Sequence, residues 1–334
     1  MFKYKRFLSG MFFLVGYVAL TTVLCAGIQT GSFTIAAFNA EWLFDGVNDR
    51  FAPWTSPTAA DAHLARIGSV IAALGADYVS LEEVEDARIL GRLADLLSAF
   101  GYEQIFVQGR DTATGQDVAA LSRIPPDRVG RTDARAKYPI FSSNLTCKSG
   151  SKGVSKNYWA ELEIGVIPVT VIGVHFLAFP DRCDRAVKRE AQALVIARLA
   201  RDALRQGREV IVLGDMNDFD GTVLDASSDR PISIVLKTLK DPDPTRPGDE
   251  LHNACDRIPQ SERYTAWYDR NRNNRYDPED TLSQIDFILV SSGLYSRLTE
   301  VQIDHSAPPG WASDHWPVVV TFCYDEENIA YGEP

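Results

Sequence analysis

Val210-Ile211-Val212-Leu213-Gly214-Asp215-Met216-Asn217 is the stretch that most narrows what this chain can become. Its apolar run leaves no face for solvent, so it reads as a strand covered on both sides, which requires a layered α/β architecture. A carboxylate and a carboxamide follow at the end of the strand, where α/β sheets place their chemistry. Asp215 offers a hard oxygen to a divalent cation, and Asn217 an amide that orients a phosphate or a water. Alone, the pattern also describes an ordinary loop opening. It gains weight because Ser313-Asp314-His315 stands beside a second apolar run, Val318-Val319-Val320.

The remaining elements are expected as follows. Strands fall at residues 33–38, 78–81 and 118–121, and a hairpin at 158–164 and 169–175. Strands at 285–290 and 317–322 close the chain. Helical spacing of Leu64, Ile67, Ile71 and Leu74 predicts a helix over 61–74 that stops at Gly75. Further helices are expected at 87–100 and 186–205, with a short one near 232–239 in the otherwise irregular 218–260 segment. Irregular alternation with hairpins points to an α/β sandwich rather than a doubly wound parallel sheet. No Gly-rich phosphate loop and no Gly-x-Ser-x-Gly elbow is present, against nucleotide-binding and serine-hydrolase folds.

The chain has 334 residues, 45% hydrophobic and 24% charged, enough for a large core. A net charge of -11 disfavours tight sequence-independent binding to a polyanion. It leaves room for a local, metal-assisted contact with one. Lys3, Lys5 and Arg6 precede an uncharged stretch over 7–26, the pattern of a secretory signal. Residues 1–27 are therefore expected to be a cleaved signal or, since 7–26 is long, an N-terminal membrane anchor. Residues 28–334 would form the catalytic domain outside the cytosol: secreted, periplasmic or extracellular. In an oxidising compartment Cys147, Cys183, Cys255 and Cys323 allow three pairings. Cys147 with Cys183, both in polar loop-like segments, is the pairing expected.

Six polar motifs fall in order at strand ends: Asn39, Glu83, His175, Asp215 with Asn217, Asp286, and Asp314 with His315. In this order they resemble the endonuclease/exonuclease/phosphatase superfamily, the fold of DNase I, over about residues 33 to 323. The resemblance implies a four-layer α/β/β/α sandwich. It further implies a divalent cation, Mg²⁺ or Mn²⁺, bound by Glu83 with Asn39 and Asp314. Asp215 and Asn217 would position water and phosphate. His315 would be the general base oriented by Asp286, and His175 a phosphate ligand or general acid. The chemistry is coherent in itself, because a phosphodiester needs a Lewis acid, a positioned water and a carboxylate-tuned imidazole. Glu82 stands where the family has Gln. Neighbouring strand residues face opposite ways, so Glu83 takes the metal role and Glu82 a supporting or surface one. His63, His252 and His305 read as surface histidines without a direct role.

Asp269, Asn271, Asn273, Asp277 and Asp280 carry oxygens at calcium-loop spacing, which would hold a structural Ca²⁺. Asn274 replaces the usual Gly there, and Asp280 the bidentate Glu. The same segment interleaves Arg270, Arg272 and Arg275 with Trp267, Tyr268 and Tyr276, which suits a nucleic-acid strand. A solvated loop without a partner is the third reading. The expected function is a secreted or surface-anchored metal-dependent phosphodiesterase, an endonuclease on DNA or RNA acting as a monomer. The abasic-site endonuclease motif Tyr-x-Pro-Asn is missing from the His175 strand, which argues against DNA repair. The alternative is a sphingomyelinase-like lipid phosphodiesterase, with Trp54 and Trp311 as candidate membrane contacts. A non-catalytic binding protein on the same fold is a third option.

Overall fold

The computed structural model describes residues 30–325 except Thr55 and Thr112, so the expected leader or anchor over 1–27 lies outside the described residues. Among the described residues no helix is long and apolar enough to cross a membrane.

Two six-stranded sheets form the centre. In chain order the first holds β1 (Thr30–Leu43), β2 (Tyr78–Val84), β3 (Glu103–Phe106) and β4 (Asp117–Ser122), with β15 (Leu298–Ile303) and β16 (Val318–Asp325). Their spatial order is β15-β16-β1-β2-β4-β3. The second holds β5 (Arg128–Gly130), β8 (Lys156–Ile164), β9 (Ile167–His175), β10 (Glu209–Asp215), β11 (Leu251–Asn253) and β14 (Asp286–Ser291). Its order is β11-β14-β10-β9-β8-β5. Two hairpins lie outside the sheets, β6 (Arg135–Tyr138) with β7 (Gly150–Gly153), and β12 (Ala266–Tyr268) with β13 (Thr281–Ser283).

Three apolar clusters define the layers. Inward-facing residues of both sheets, among them Phe33, Ile35, Val171, Ile211, Ile288 and Phe322, pack into one buried core. Alternation puts the other residues of the same strands on the outer faces, where Ala36, Phe38, Val79 and Leu81 meet helices α1 (Pro57–Leu74) and α2 (Ala87–Leu96). Ile172, Val174, Val210 and Val212 meet α3 (Cys183–Arg205) and α4 (Val235–Lys240). The short α5 (Ser292–Tyr295) follows β14. This is the expected α/β/β/α sandwich. Covered on both faces, β10 is uniformly apolar, whereas α1 needs only one apolar side.

Local signals set the boundaries. Ser56 caps α1, accepting from the Ala59 N–H, and Pro57 sits where a missing N–H costs nothing. Gly75 closes the helix at φ 60°. Inside the sandwich Tyr78 donates its hydroxyl proton to Tyr158 at 3.0 Å, joining the two sheets through a buried hydrogen bond. A disulfide links Cys147, in the loop between β6 and β7, to Cys183 at the start of α3, with Cα atoms 6.0 Å apart.

Some expectations need correction. The first strand runs on to Leu43 rather than ending near residue 38, because a register irregularity between Asn39 and Leu43 lets it continue past the site. The second helix stops at Leu96 and gives way to a 3₁₀ turn, Ser98–Phe100. The segment thought irregular after residue 218 contributes the edge strand β11. His63 is fully buried, with Nε2 2.8 Å from the Ala40 carbonyl and its ring stacked on Trp54. His252 stacks on Tyr295 and His305 on Tyr264, so none of the three is a simple surface histidine.

Candidate active site

Strand register brings the polar motifs to one rim. In the second sheet Asp286, Asp215, His175 and Lys156 are direct neighbours across β14, β10, β9 and β8. In the first sheet Asn39 pairs with Glu82, and His315 lies just before β16. The site is therefore shared between the two sheets.

Gly214 explains why the defining motif begins with glycine. Its φ is 121°, and a Cβ there would strike the Val174 carbonyl and come within 2.8 Å of Glu82 Oε1. The tight passage lets Asp215 turn toward β1, where its Oδ2 accepts from Asn39 Nδ2 at 3.2 Å. Asp215 Oδ1 accepts the Asn217 backbone N–H at 2.8 Å, which supports Asn217 at φ 48°. Asn tolerates that left-handed conformation better than most residues. The Asn217 amide in turn donates to the Phe176 carbonyl at 3.3 Å, so it braces the loop after His175.

Bulges aim the carboxylates. Glu83 sits at φ 63° between two registers of the β2–β4 pairing, and this turns it to the rim while Glu82 stays in the interior. Glu82 is therefore no surface residue. It is fully buried, its Oε1 accepts from Ser80 at 3.1 Å, and burial followed by Asp286 and Asp215 pushes its pKa well above the ordinary value. Sequence reasoning missed Glu41. It lies two residues after Asn39 at φ 42°, and its Oε2 accepts the Asp314 N–H at 3.0 Å. Burial, Asp314 and Glu83 push its carboxyl up to about 8.

His315 Nδ1 is 2.7 Å from Asp286 Oδ2, and its Nε2 is 3.9 Å from Asp314 Oδ1. Burial works against the imidazolium, but Asp286, Asp314 and Asp215 outweigh it and raise the pKa well above the ordinary value. Ser313 holds the segment by donating to the Asn39 carbonyl at 2.7 Å. His175 is the opposite case. Burial, then Lys156 and His315, hold it well below the ordinary value. Lys156 Nζ, which sequence reasoning also missed, is 3.4 Å from His175 Nδ1 and 2.8 Å from Gln116 Oε1. An ammonium can only donate, so Nδ1 accepts and the ring proton sits on Nε2. That nitrogen is 3.5 Å from Asp215 Oδ2 and 3.9 Å from Glu83 Oε1.

The donor set fits a divalent cation. Burial, then Asp314 and Glu83, raise Glu41, and burial with Asp314 raises Glu83, so Glu41, Glu83 and Asp314 are hard-oxygen donors to one region, spread more widely than a preformed ligand cluster. Asp286 Oδ1 is buried without a hydrogen-bond partner, another unsatisfied oxygen beside them. Ligand atoms of Asp215, Asp286 and His315 lie within 4.8 Å of one another, but the imidazole there is already held by Asp286. Of the residues expected to bind metal, Asn39 has both side-chain atoms in hydrogen bonds: Nδ2 donates to Asp215 and Oδ1 accepts from the Glu41 N–H at 3.1 Å.

The arginine-rich insert is rooted at the rim, since the Trp267 N–H donates to the Asp314 carbonyl at 2.8 Å. Arg270, Arg272 and Arg275 are exposed on the β12–β13 loop. The oxygens at calcium spacing are occupied within that loop. Asp269 accepts from Asn273 and Asn274, Asp277 from the Asn271 amide, and Asp280 from Trp267 Nε1 at 2.9 Å. Trp54 is packed, donating to the Trp42 carbonyl at 2.6 Å, whereas Trp311 is 45% exposed.

The sequence pattern of the Endonuclease/Exonuclease/phosphatase family matches residues 37–315. The chain belongs to this family, whose chemistry is hydrolysis of phosphoester bonds. No match was found among curated proteins. Solved structures of similar fold include the 3′ phosphatase NExo from Neisseria bound to a product DNA hairpin. It is 19% identical with a TM-score of 0.60, over 87% of this chain and 99% of that one. An endonuclease/exonuclease/phosphatase from Bacteroides vulgatus is 19% identical with a TM-score of 0.55, over 89% of this chain and 100% of that one. TDP2 from D. rerio, complexed with a single-strand DNA product, is 15% identical with a TM-score of 0.52, over 87% and 98%.

Proposed function

We propose that this chain is a divalent-metal-dependent phosphodiester hydrolase acting on nucleic acid outside the cytosol. The observation that carries the reading is the Asp286–His315 pair, 2.7 Å apart, facing Asp215, Glu83 and His175 on the same rim. A divalent cation held by Glu83, Glu41 and Asp314 would supply Lewis acidity to a phosphoryl oxygen. Asp286 fixes the tautomer of His315, leaving Nε2 to take a proton from water once the ring is neutral. His175, neutral and carrying its proton on Nε2, donates to a phosphate oxygen or leaving group. Asn39 and Asn217 hold Asp215 and the neighbouring loop in place for an attacking water. No covalent enzyme intermediate is required.

Similar structures that contain DNA products support nucleic acid as the substrate, and the disulfide with the basic, uncharged-stretch leader supports export. The test is incubation of the purified protein with plasmid DNA, RNA and sphingomyelin, each with Mg²⁺, with Ca²⁺ and with EDTA. We expect Mg²⁺-dependent nucleic-acid cleavage that EDTA and His315→Ala abolish. Cleavage of sphingomyelin alone would replace nuclease by lipid phosphodiesterase, and no turnover on any phosphoester would leave a binding protein.

A further inference from the structure

A second cluster of charge lies outward of His175 on the same rim. A cavity of about 200 Å³ is lined by Arg110, Arg131, Arg135 and Lys152, with Asp133 as its one acidic side chain and Ser155 also in its lining. Arg110 and Arg131 share Asp133, at 2.6 Å and 3.2 Å, so one carboxylate offsets two guanidiniums. Arg131 also donates to the Ser155 carbonyl at 3.2 Å, which fixes its position. Lys152 is half-buried on β7, where its backbone pairs with Ala136, and its ammonium makes no ion pair or hydrogen bond among the described residues. Burial, then Arg135 and Lys188, depress its pKa, outweighing the attraction of Asp111. In a chain of net charge -11 such an uncompensated group of cations calls for an anionic ligand.

Its place in the fold says which anion. Ser155 precedes Lys156, whose Nζ touches His175. Across the sheet the rim reads Asp286, Asp215, His175, Lys156 and, just past the edge strand β5, Arg131. Two strand spacings separate β9 from β5, so the cavity begins roughly 10 Å from His175. The rim therefore passes from carboxylates to cations within one or two nucleotide units. Resting on the nucleic-acid reading above, we propose that the Arg110–Arg131–Arg135–Lys152 cavity is a subsite for a non-scissile phosphate flanking the cleaved bond of a nucleic-acid strand.

Binding of a labelled single-stranded oligonucleotide in EDTA, across a salt series, tests this. Lys152→Gln removes a cation that makes no ion pair or hydrogen bond among the described residues, so folding should be spared, and a thermal melt checks it. It should weaken binding about 5- to 10-fold and lower the slope of log Kd against log salt by about 0.7. Lys152→Arg should retain most of the affinity, and Lys237→Gln, on α4 away from the cavity, should match wild type. In turnover, the ratio of kcat/KM on oligonucleotide to that on a small diester, bis(p-nitrophenyl) phosphate, should fall by a similar factor. A wild-type protein that cleaves nucleic acid, with Lys152→Gln unchanged in affinity and slope, would sink the subsite and spare the nuclease. Loss of affinity with the expected slope in a protein that cleaves no nucleic acid would uphold nucleic-acid phosphate binding in the cavity and sink the nuclease. Binding to phosphatidylglycerol vesicles but not to the oligonucleotide would overturn the proposal.

Discussion

His315 Nδ1 and Asp286 Oδ2 form a 2.7 Å hydrogen bond that crosses from one sheet to the other. The aspartate opens β14 of the second sheet, and the histidine precedes β16 of the first. Because Asp286 both orients the ring and raises its pKa, Asp286→Asn should lower kcat about 10²- to 10⁴-fold at neutral pH. It should also move the ascending limb of the kcat profile to lower pH, since the neutral base then forms more readily. Profiles of both proteins at saturating Mg²⁺ decide this. An unmoved limb would mean that His315 is not the base.

Glu41 is raised to about 8 from an ordinary 4.5. The unfolded chain releases this proton first, so stability is fully present below about 4.5 and declines as pH rises toward 8. Glu41→Gln should therefore raise Tm at pH 8 to 9 in EDTA. Added Mg²⁺ should stabilise wild type increasingly over the same range and stabilise Glu41→Gln less, as read by thermal melts. Equal Mg²⁺ stabilisation of both proteins would remove Glu41 from the cation site.

His63 has the opposite sign. Burial lowers its pKa from 6.5 to about 4, so the unfolded state binds the proton between those values. Stability should fall by up to about 3 kcal/mol as pH drops from 6.5 to 4 and then stop falling on this account. Urea melts of wild type and His63→Gln across that window should converge as pH decreases. Parallel curves would assign the acid loss to other groups.

Arg189 is wholly buried, bound to Asp218 at 3.0 Å and to the carbonyls of Leu177, Phe179 and Pro180. It ties α3 to the loops that follow His175 and Asn217. Arg189→Ala should cost about 3–5 kcal/mol, because the buried Asp218 loses its ion partner and three carbonyls lose their donor. Arg189→Met with Asp218→Leu should recover part of the loss in urea melts without restoring full activity. A double variant no more stable than Arg189→Ala would contradict this account.

What the sequence makes legible here follows from strand physics. Apolar runs covered on both faces announce themselves, and Asn39, Glu83, His175, Asp215 and Asp286 stand where those runs end. The structure gathers these residues with His315 at one rim. Glu41 and Lys156 escaped because neither follows an apolar run with a recognisable motif. Glu41 reaches the site only through a left-handed backbone that period-two reasoning does not anticipate. His63 shares the buried face of α1 with Ala60, Leu64 and Ile67, and there stacks on Trp54 and bonds to the Ala40 carbonyl, so its helical position outweighs its polarity. The short edge strands β3, β5 and β11 are too brief to show a period.

The division of the site between the sheets makes the reacting geometry a gauge of how the two halves are stacked. Asn39, Glu83 and His315 move with one slab, and His175, Asp215 and Asp286 with the other. A sideways slip of one slab would separate acid from base while leaving each strand intact. The Tyr78–Tyr158 hydrogen bond, which touches no reacting atom, thus acts as a peg against shear.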